Sequence, residues 1–265
     1  MSSSGSDQQD PKVVHSLDNE REEKAPRRGI YLIPNLITTG ALFAGFYAIV
    51  AAMNGNFIAA ALAIYAAGIL DALDGPMARL THTESPFGAQ YDSLSDMVAF
   101  GVAPSLVAFS WSLSELGRIG WVVTFIYMAC AALRLARYNT QTEHETFTGL
   151  ASPSAAGIVA SAVWILSEYY APGEIVGKSV AGLMAGTVAV SGLLMASNFE
   201  YLSWKVFNFK GRVPFLAMLA VVLVFSLILW EPPRVLLTIG IGYAASGPLK
   251  LLWQRVLKPR WKKTS

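Results

Sequence analysis

The chain has 265 residues, of which 54% are hydrophobic and 14% are charged, whereas about a quarter of the residues in soluble domains are charged. This composition argues against a soluble globular protein and favours a membrane protein. The net charge of +2 says little by itself, and we predict no nucleic-acid partner. The single cysteine, Cys130, excludes an internal disulfide and a cysteine metal site.

The N-terminal segment, residues 1–27, is polar. Six of the 18 acidic residues lie before residue 25, and the segment has no apolar stretch of the kind found in secretory signals. We interpret it as a disordered cytoplasmic tail. A membrane domain is predicted over residues 28–255, followed by a basic cytoplasmic tail, residues 256–265, which is attracted to anionic lipid.

Apolar segments long enough to cross a bilayer follow one another from residue 36 onward. The sequence therefore predicts an all-α, polytopic membrane bundle of about eight transmembrane helices. They cover residues 36–54, 56–80, 88–111, 119–137, 154–170, 176–196, 213–230 and 233–254.

The loop charges predict the orientation of this bundle. Thirteen Lys and Arg residues flank one side of the segments, whereas the other side has Arg118, Lys178 and Arg234. The positive-inside rule then places both termini, Arg79 and the loop 138–153 in the cytoplasm. We expect an inner-membrane protein with its site on the cytoplasmic side.

Four aspartates lie in the second and third predicted spans: Asp71, Asp74, Asp92 and Asp96. A carboxylate at membrane depth costs about 2.5–3.5 kcal/mol on insertion scales, so something must neutralise this group. Within each span the aspartates recur every three or four residues and therefore share one face of a helix. The two faces can meet near the cytoplasmic boundary, across the loop 80–87.

Small residues and one arginine accompany the aspartates. Gly75, Ala78 and Gly88 leave room for a bulky ligand, and Arg79 offers a forked donor to a phosphate. Oxygen ligands suit a hard cation such as Mg²⁺ or Mn²⁺. One interpretation is a metal site that binds a phosphate ester. The other is that the aspartates pair with basic residues or line the path of a cation transporter.

The spacing of these residues matches a known signature. It reads D-x2-D-G-x2-A-R-x8-G-x3-D-x3-D from Asp71 to Asp96 and resembles the CDP-alcohol phosphotransferases at all eight fixed positions. Pro34-Asn35 with Thr38 also resembles the P-N-x-x-T entry of these enzymes.

Further segments resemble the bacterial and archaeal phosphatidylserine synthase branch of this family. They include Phe87–Leu94, Phe100–Pro104, Arg134–Asn139, Phe147–Leu150 and 194–205. The chain departs from the pattern at Ala151, where we expect proline, although Ser152-Pro153 follows.

The resemblance implies transfer of a phosphatidyl group from CDP-diacylglycerol to L-serine, with release of CMP. It implies a divalent metal, Mg²⁺ or Mn²⁺, as two ions, and a homodimer. The implied metal ligands are Asp71, Asp74, Asp92 and Asp96, and Asp96 is also the implied general base. The implied CDP-binding residues are Asn35, Thr38, Asp74, Gly75, Ala78, Arg79 and Gly88.

The serine carboxylate or phosphate oxygens need basic or polar partners. The candidates are Arg134, Arg137, Asn139, Ser197 and Lys205. Positive-inside anchoring explains the basic ones about equally well. Choline is the closest alternative acceptor, because the basic set looks too small for a phosphorylated acceptor such as glycerol 3-phosphate or an inositol phosphate.

Overall fold

The computed structural model describes residues 32–81, 83, 85–140, 148–170, 174–201 and 215–257. These residues form nine α-helices: α1 (Leu32–Met53), α2 (Phe57–Leu80), α3 (Pro86–Asp96), α4 (Ala103–Trp111), α5 (Arg118–Thr140), α6 (Ser152–Ser167), α7 (Lys178–Ala196), α8 (Phe215–Trp230) and α9 (Pro232–Leu257). A π-helical turn, Met97–Val102, joins α3 to α4, and a 3₁₀ turn, Leu113–Leu116, precedes α5. The described ranges contain no β-strand, only an isolated antiparallel bridge between Thr148 and Glu200.

Each of the eight predicted apolar segments coincides with a helix, the third being α3, the π-helical turn and α4 together. Five of these are long and apolar enough to cross a membrane: Pro34–Met53, Phe57–Leu80, Pro86–Trp111, Arg118–Thr140 and Lys178–Ala196. The helices α6 and α8, with 16 residues each, are shorter, and α9 carries charged residues. The helical, membrane-type architecture is thus confirmed, whereas the expected count of eight spans is not.

Small side chains bring the helices close together. Alanine dominates the buried positions, and only a few large side chains, such as Tyr127, Phe100 and Ile64, are fully buried. Gly45 in α1 shows how tight the packing is, because a Cβ there would stand 2.7 Å from the Cα of Ala99. Such close backbone approach is how helices associate in lipid, where the hydrophobic effect does not drive them together.

The connection between α2 and α3 is short, and both helix ends are capped. Thr81 closes α2 through a hydrogen bond from its N–H to the carbonyl of Met77, 3.0 Å. Ser85 has an extended backbone and caps α3, because its hydroxyl accepts from the N–H of Gly88 at 3.0 Å. Pro86 occupies the first helical turn, where its missing N–H is harmless. These caps fix where α3 begins and so where its aspartates point.

Of the remaining helices, α6 makes the main contact with α2. The helix α6 packs on both α2 and α9, and α5 packs on α7, whereas α8 contacts mainly α9. Side chains of α8 such as Val221 and Trp230 are well exposed, as expected for a helix that faces lipid. The predicted tail 1–27 and residues 258–265 lie outside the described residues.

Candidate active site

The aspartates of α2 and α3 meet where the two helices face each other. Asp71, Asp74 and Asp92 each offer a carboxylate oxygen, and these three oxygens lie within 4.8 Å of one another. Asp74 is buried, whereas Asp71 and Asp92 are half-buried. The two helix faces identified from the spacing therefore do converge.

Asp96 lies one turn further along α3 and is outside this group of three oxygens. Its carboxyl group lies near that of Asp71, and the carboxyl group of Asp92 lies near that of Asp74. We call these four residues the aspartate cluster. Carboxylates this close repel each other when ionised, so the cluster needs a cation or shared protons.

The donor set fits a hard divalent cation. Oδ1 of Asp92 is buried and has no hydrogen-bond partner among the described residues, which is costly unless something else binds it. Carboxylate oxygens are the ligands that Mg²⁺ and Mn²⁺ prefer. The residues that could hold such an ion are Asp71, Asp74 and Asp92.

The start of α1 supports the aspartate cluster. The Thr38 hydroxyl lies 2.9 Å from Oδ2 of Asp74 and 3.1 Å from the carbonyl oxygen of Pro34. Ser95 of α3 donates to the Thr38 carbonyl at 3.1 Å. Thr38 and Ser95 are both buried, so these bonds orient Asp74 and tie α1 to α3. Thr38, expected to contact CDP, therefore touches a carboxylate of the cluster.

The other candidate CDP-binding residues border the same cluster. A Cβ at Gly88 would lie 3.6 Å from Oδ1 of Asn35, which places the ends of α1 and α3 side by side. A Cβ at Gly75 would meet nothing within 4 Å, so this position faces open space. Ala78 is half-buried, and Arg79 is exposed. Across the described ranges, the Arg79 guanidinium makes no hydrogen bond or ion pair, which leaves it available to a ligand.

Arg134 of α5 approaches the aspartate cluster from another side. Its Nη1 donates to the hydroxyl of Ser152 at 2.7 Å, and its Nε is buried with no hydrogen-bond partner in the described structure. The guanidinium attracts Asp71 and Asp96 electrostatically, yet no nitrogen–oxygen contact within 4.0 Å joins these described side chains. Ser152 was not predicted as a site residue, although it follows the Gly149-Leu150 segment that carries the resemblance.

Arg137, one helical turn later, is engaged very differently. Its Nη2 donates to the carbonyl oxygens of Thr148 at 2.7 Å and Ser197 at 3.2 Å, and its Nη1 donates to Oδ1 of Asn198 at 2.9 Å. We call these four residues the arginine clamp. It joins the end of α5, the segment before α6 and the end of α7.

Gly149 makes this clamp possible. Its φ of +85° is a conformation that favours glycine, and a Cβ there would stand 2.3 Å from the carbonyl oxygen of Met195. The N–H groups of Gly149 and Leu150 donate to the carbonyls of Phe199 at 2.9 Å and Leu194 at 3.0 Å. The segment before α6 is thereby held rigidly against the end of α7.

The remaining acceptor candidates lie around these two arginines. Asn139 donates to the hydroxyl of Ser93 at 3.0 Å, and the Ser197 hydroxyl donates to the carbonyl of Leu194 at 2.7 Å. Lys205 lies outside the described residues. Ala151 has φ −60° and ψ 135°, a backbone conformation that proline also adopts.

Comparison with known proteins identifies the family. Residues 31–243 match the family model described as CDP-alcohol phosphatidyltransferase. The chain is 36% identical over 203 residues to the CDP-diacylglycerol–serine O-phosphatidyltransferase of Helicobacter pylori strain J99, covering 76% of this chain and 84% of that protein. The protein of the same name from strain 26695 is 34% identical over 235 residues, with coverages of 87% and 95%.

An archaeal relative extends this comparison. The archaetidylserine synthase of Methanothermobacter thermautotrophicus is 34% identical over 172 residues, which are 64% of this chain and 69% of that protein. These matches confirm the resemblance carried by the signature between Asp71 and Asp96, and with it the expected enzyme class, a phosphatidyltransferase. The chain belongs to the CDP-alcohol phosphatidyltransferase family.

Proposed function

We propose that this enzyme transfers the phosphatidyl group of CDP-diacylglycerol to L-serine, giving phosphatidylserine and CMP. The observation that carries the proposal is an aspartate cluster together with a half-buried arginine, Arg134, whose Nε is buried without a partner among the described residues. Carboxylates that hold a metal suit a diphosphate donor, and a guanidinium beside them suits an acceptor with a carboxylate. The names of the bacterial relatives support the same acceptor.

The donor lies along α1, α2 and α3 in this proposal. The open space at Gly75 admits the CDP moiety, and the exposed Arg79 grips its phosphates with two donors. Ala78, Gly88 and Asn35 form the neighbouring walls. Thr38 acts indirectly, because it orients Asp74.

A divalent ion, Mg²⁺ or Mn²⁺, belongs with Asp71, Asp74 and Asp92, and Asp96 completes the ligands for a second ion. When bound, such ions neutralise the diphosphate and the leaving CMP. Asp96 accepts the proton of the serine hydroxyl. The hydroxyl oxygen attacks the phosphorus that carries diacylglycerol, and the bond from that phosphorus to the CMP oxygen breaks.

Among the acceptor candidates, Arg134 is the one that we propose to bind the serine carboxylate. Its guanidinium is attracted to Asp96, its Nε has no partner among the described residues, and the planar fork of arginine matches a carboxylate. Choline has no carboxylate and carries a fixed positive charge, which the Arg134 guanidinium would repel. The acceptor that suits Arg134 beside the aspartates is therefore an amino acid with a hydroxyl group.

The membrane arrangement is part of the proposal. Eight spans within residues 28–255, both termini in the cytoplasm and an inner-membrane location agree with the loop charges. The site then faces the cytoplasm, where serine and CDP-diacylglycerol are available, and the basic C-terminal tail contacts anionic lipid. A homodimer follows from the family resemblance alone.

The test is CMP release by the purified protein with CDP-diacylglycerol and a panel of acceptors. We expect release that requires both the nucleotide lipid and L-serine, with little release for choline or glycerol 3-phosphate. Release with choline but not serine would reassign the acceptor. A protein that moves divalent cations across vesicles but releases no CMP with any acceptor would be a transporter, and the proposal would be wrong.

A further inference from the structure

Ser152 stands at the start of α6 with a side chain that is 0% exposed. Its hydroxyl accepts a hydrogen bond from Nη1 of Arg134 at 2.7 Å. The backbone just before it is fixed by the bonds from Gly149 to Phe199 and from Leu150 to Leu194. Ser152 therefore offers Arg134 an acceptor at a rigidly defined position.

The Arg134 guanidinium also lies within electrostatic range of the aspartate cluster. Asp71 and Asp96 attract it, yet none of these carboxylates comes within 4.0 Å in the described structure. Nε remains buried and unbonded. A buried donor without a partner is costly, and the guanidinium donors suit a planar carboxylate.

We propose that Ser152 is a positioning residue that sets the enzyme's preference for an acceptor bearing a carboxylate. By holding one nitrogen of Arg134, Ser152 keeps the guanidinium away from Asp96 and leaves the other donors free for the carboxylate of an α-amino acid. Without this bond, Arg134 moves toward Asp96 and occupies the acceptor's place. The inference rests on the proposed function, because it concerns the acceptor of that reaction.

Two variants of Ser152 test this role. Ser152→Ala removes the hydroxyl, and Ser152→Cys replaces it at nearly equal size with a thiol that accepts hydrogen bonds weakly. We expect each to raise the KM for L-serine about tenfold, the order of one bond to a charged group. The KM for CDP-diacylglycerol should stay within about twofold of wild type. KM does not depend on how much of the protein is folded, so a poor yield does not obscure the result.

Ser161→Ala is the matched control, because Ser161 lies in the same helix, is equally buried and bonds Tyr65 instead of Arg134. It should leave the KM for L-serine unchanged. A serine KM that Ser152→Cys or Ser152→Ala does not alter, or that Ser161→Ala raises equally, overturns the inference while wild-type activity with serine still stands. If wild-type protein releases no CMP with L-serine, the proposed function is wrong and the inference falls with it.

Discussion

The aspartate cluster and the arginine clamp lie close together, yet their polar groups are used in opposite ways. In the cluster, Oδ1 of Asp92 is buried without a partner among the described residues, and the same holds for Nε of Arg134 on α5. In the clamp, Arg137 donates to backbone carbonyls and to Asn198. Buried polar groups are normally bonded. Donors and acceptors without partners therefore mark where a ligand belongs, whereas hydrogen-bonded ones stabilise the fold.

The largest effect should come from the carboxylate that lacks a partner. Asp92→Asn should abolish CMP release, because it removes a charge from the three oxygens that lie within 4.8 Å of one another. The protein should still fold, since Oδ1 of Asp92 contributes no hydrogen bond. CMP release and thermal unfolding in detergent, measured on one preparation, check both expectations.

Glu200→Gln is the matched control, because it removes a carboxylate that is exposed and paired with Lys250. It should retain activity. Wild-type-like turnover by Asp92→Asn at ordinary metal concentration would contradict the role of Asp92 as a metal ligand.

Asp96 should show a smaller effect of a different kind. Asp96→Asn should reduce the rate by about 10²–10⁴-fold, the usual contribution of a positioned general base. Binding of CDP-diacylglycerol should persist, because Asp71, Asp74 and Asp92 remain. Nucleotide-lipid binding measured beside CMP release separates the two effects. If binding and turnover fall together, Asp96 serves mainly as a ligand or a structural residue.

Arg79 tests whether an exposed, unbonded arginine serves the donor. Arg79→Lys should raise the KM for CDP-diacylglycerol about tenfold, because an ammonium cannot replace two parallel donors to a phosphate. The control is Arg234→Lys, which alters an arginine that is paired with Glu231. An unchanged KM in Arg79→Lys would mean that Arg79 only anchors the helix at the membrane surface.

The smallest effect on catalysis should come from the clamp. Arg137→Lys should lower the free energy of unfolding by about 1.5–3 kcal/mol, the scale of a hydrogen bond from a charged donor, and should change the serine KM less than about twofold. Arg134→Lys, the same change three residues earlier, should instead raise the serine KM. Thermal unfolding and acceptor kinetics of the two variants check this contrast. A serine KM that rises equally in both would remove the distinction between the two arginines.

The sequence predicted the parts of the molecule that follow from local spacing. The recurrence of aspartates on one helix face predicted that Asp71, Asp74 and Asp92 converge. The lengths of the apolar segments predicted each helix. The different roles of Arg134 and Arg137 could not be predicted, because their spacing and charge are alike. The two arginines differ because tertiary packing brings the distant carbonyls of Thr148 and Ser197 to Arg137.

Two other features depended on contacts between distant segments. The bond from Thr38 to Asp74 spans 36 residues and cannot be read from a motif, whereas the expected contact of Thr38 with CDP stays a prediction. Ser152 bonds to Arg134 across 18 residues and only becomes significant once α6 packs on α2. Composition alone also could not determine the number of membrane spans, because α6 and α8 are apolar but short.

The π-helical turn directly after Asp96 changes the rotation of the side chains between the two halves of one span. An α-helix rotates its side chains by roughly 100° per residue, and a π turn accommodates one extra residue, so the two halves of the span can be aimed independently. One half directs Asp92 and Asp96 at α2, and the other buries Val107 and Ala108 in the core. Deleting a single residue from Met97–Val102 would rotate one half relative to the other, so that either the aspartates would turn away from α2 or the core side chains would lose their packing. An insertion or deletion there should therefore be far more damaging than a conservative substitution at the same positions.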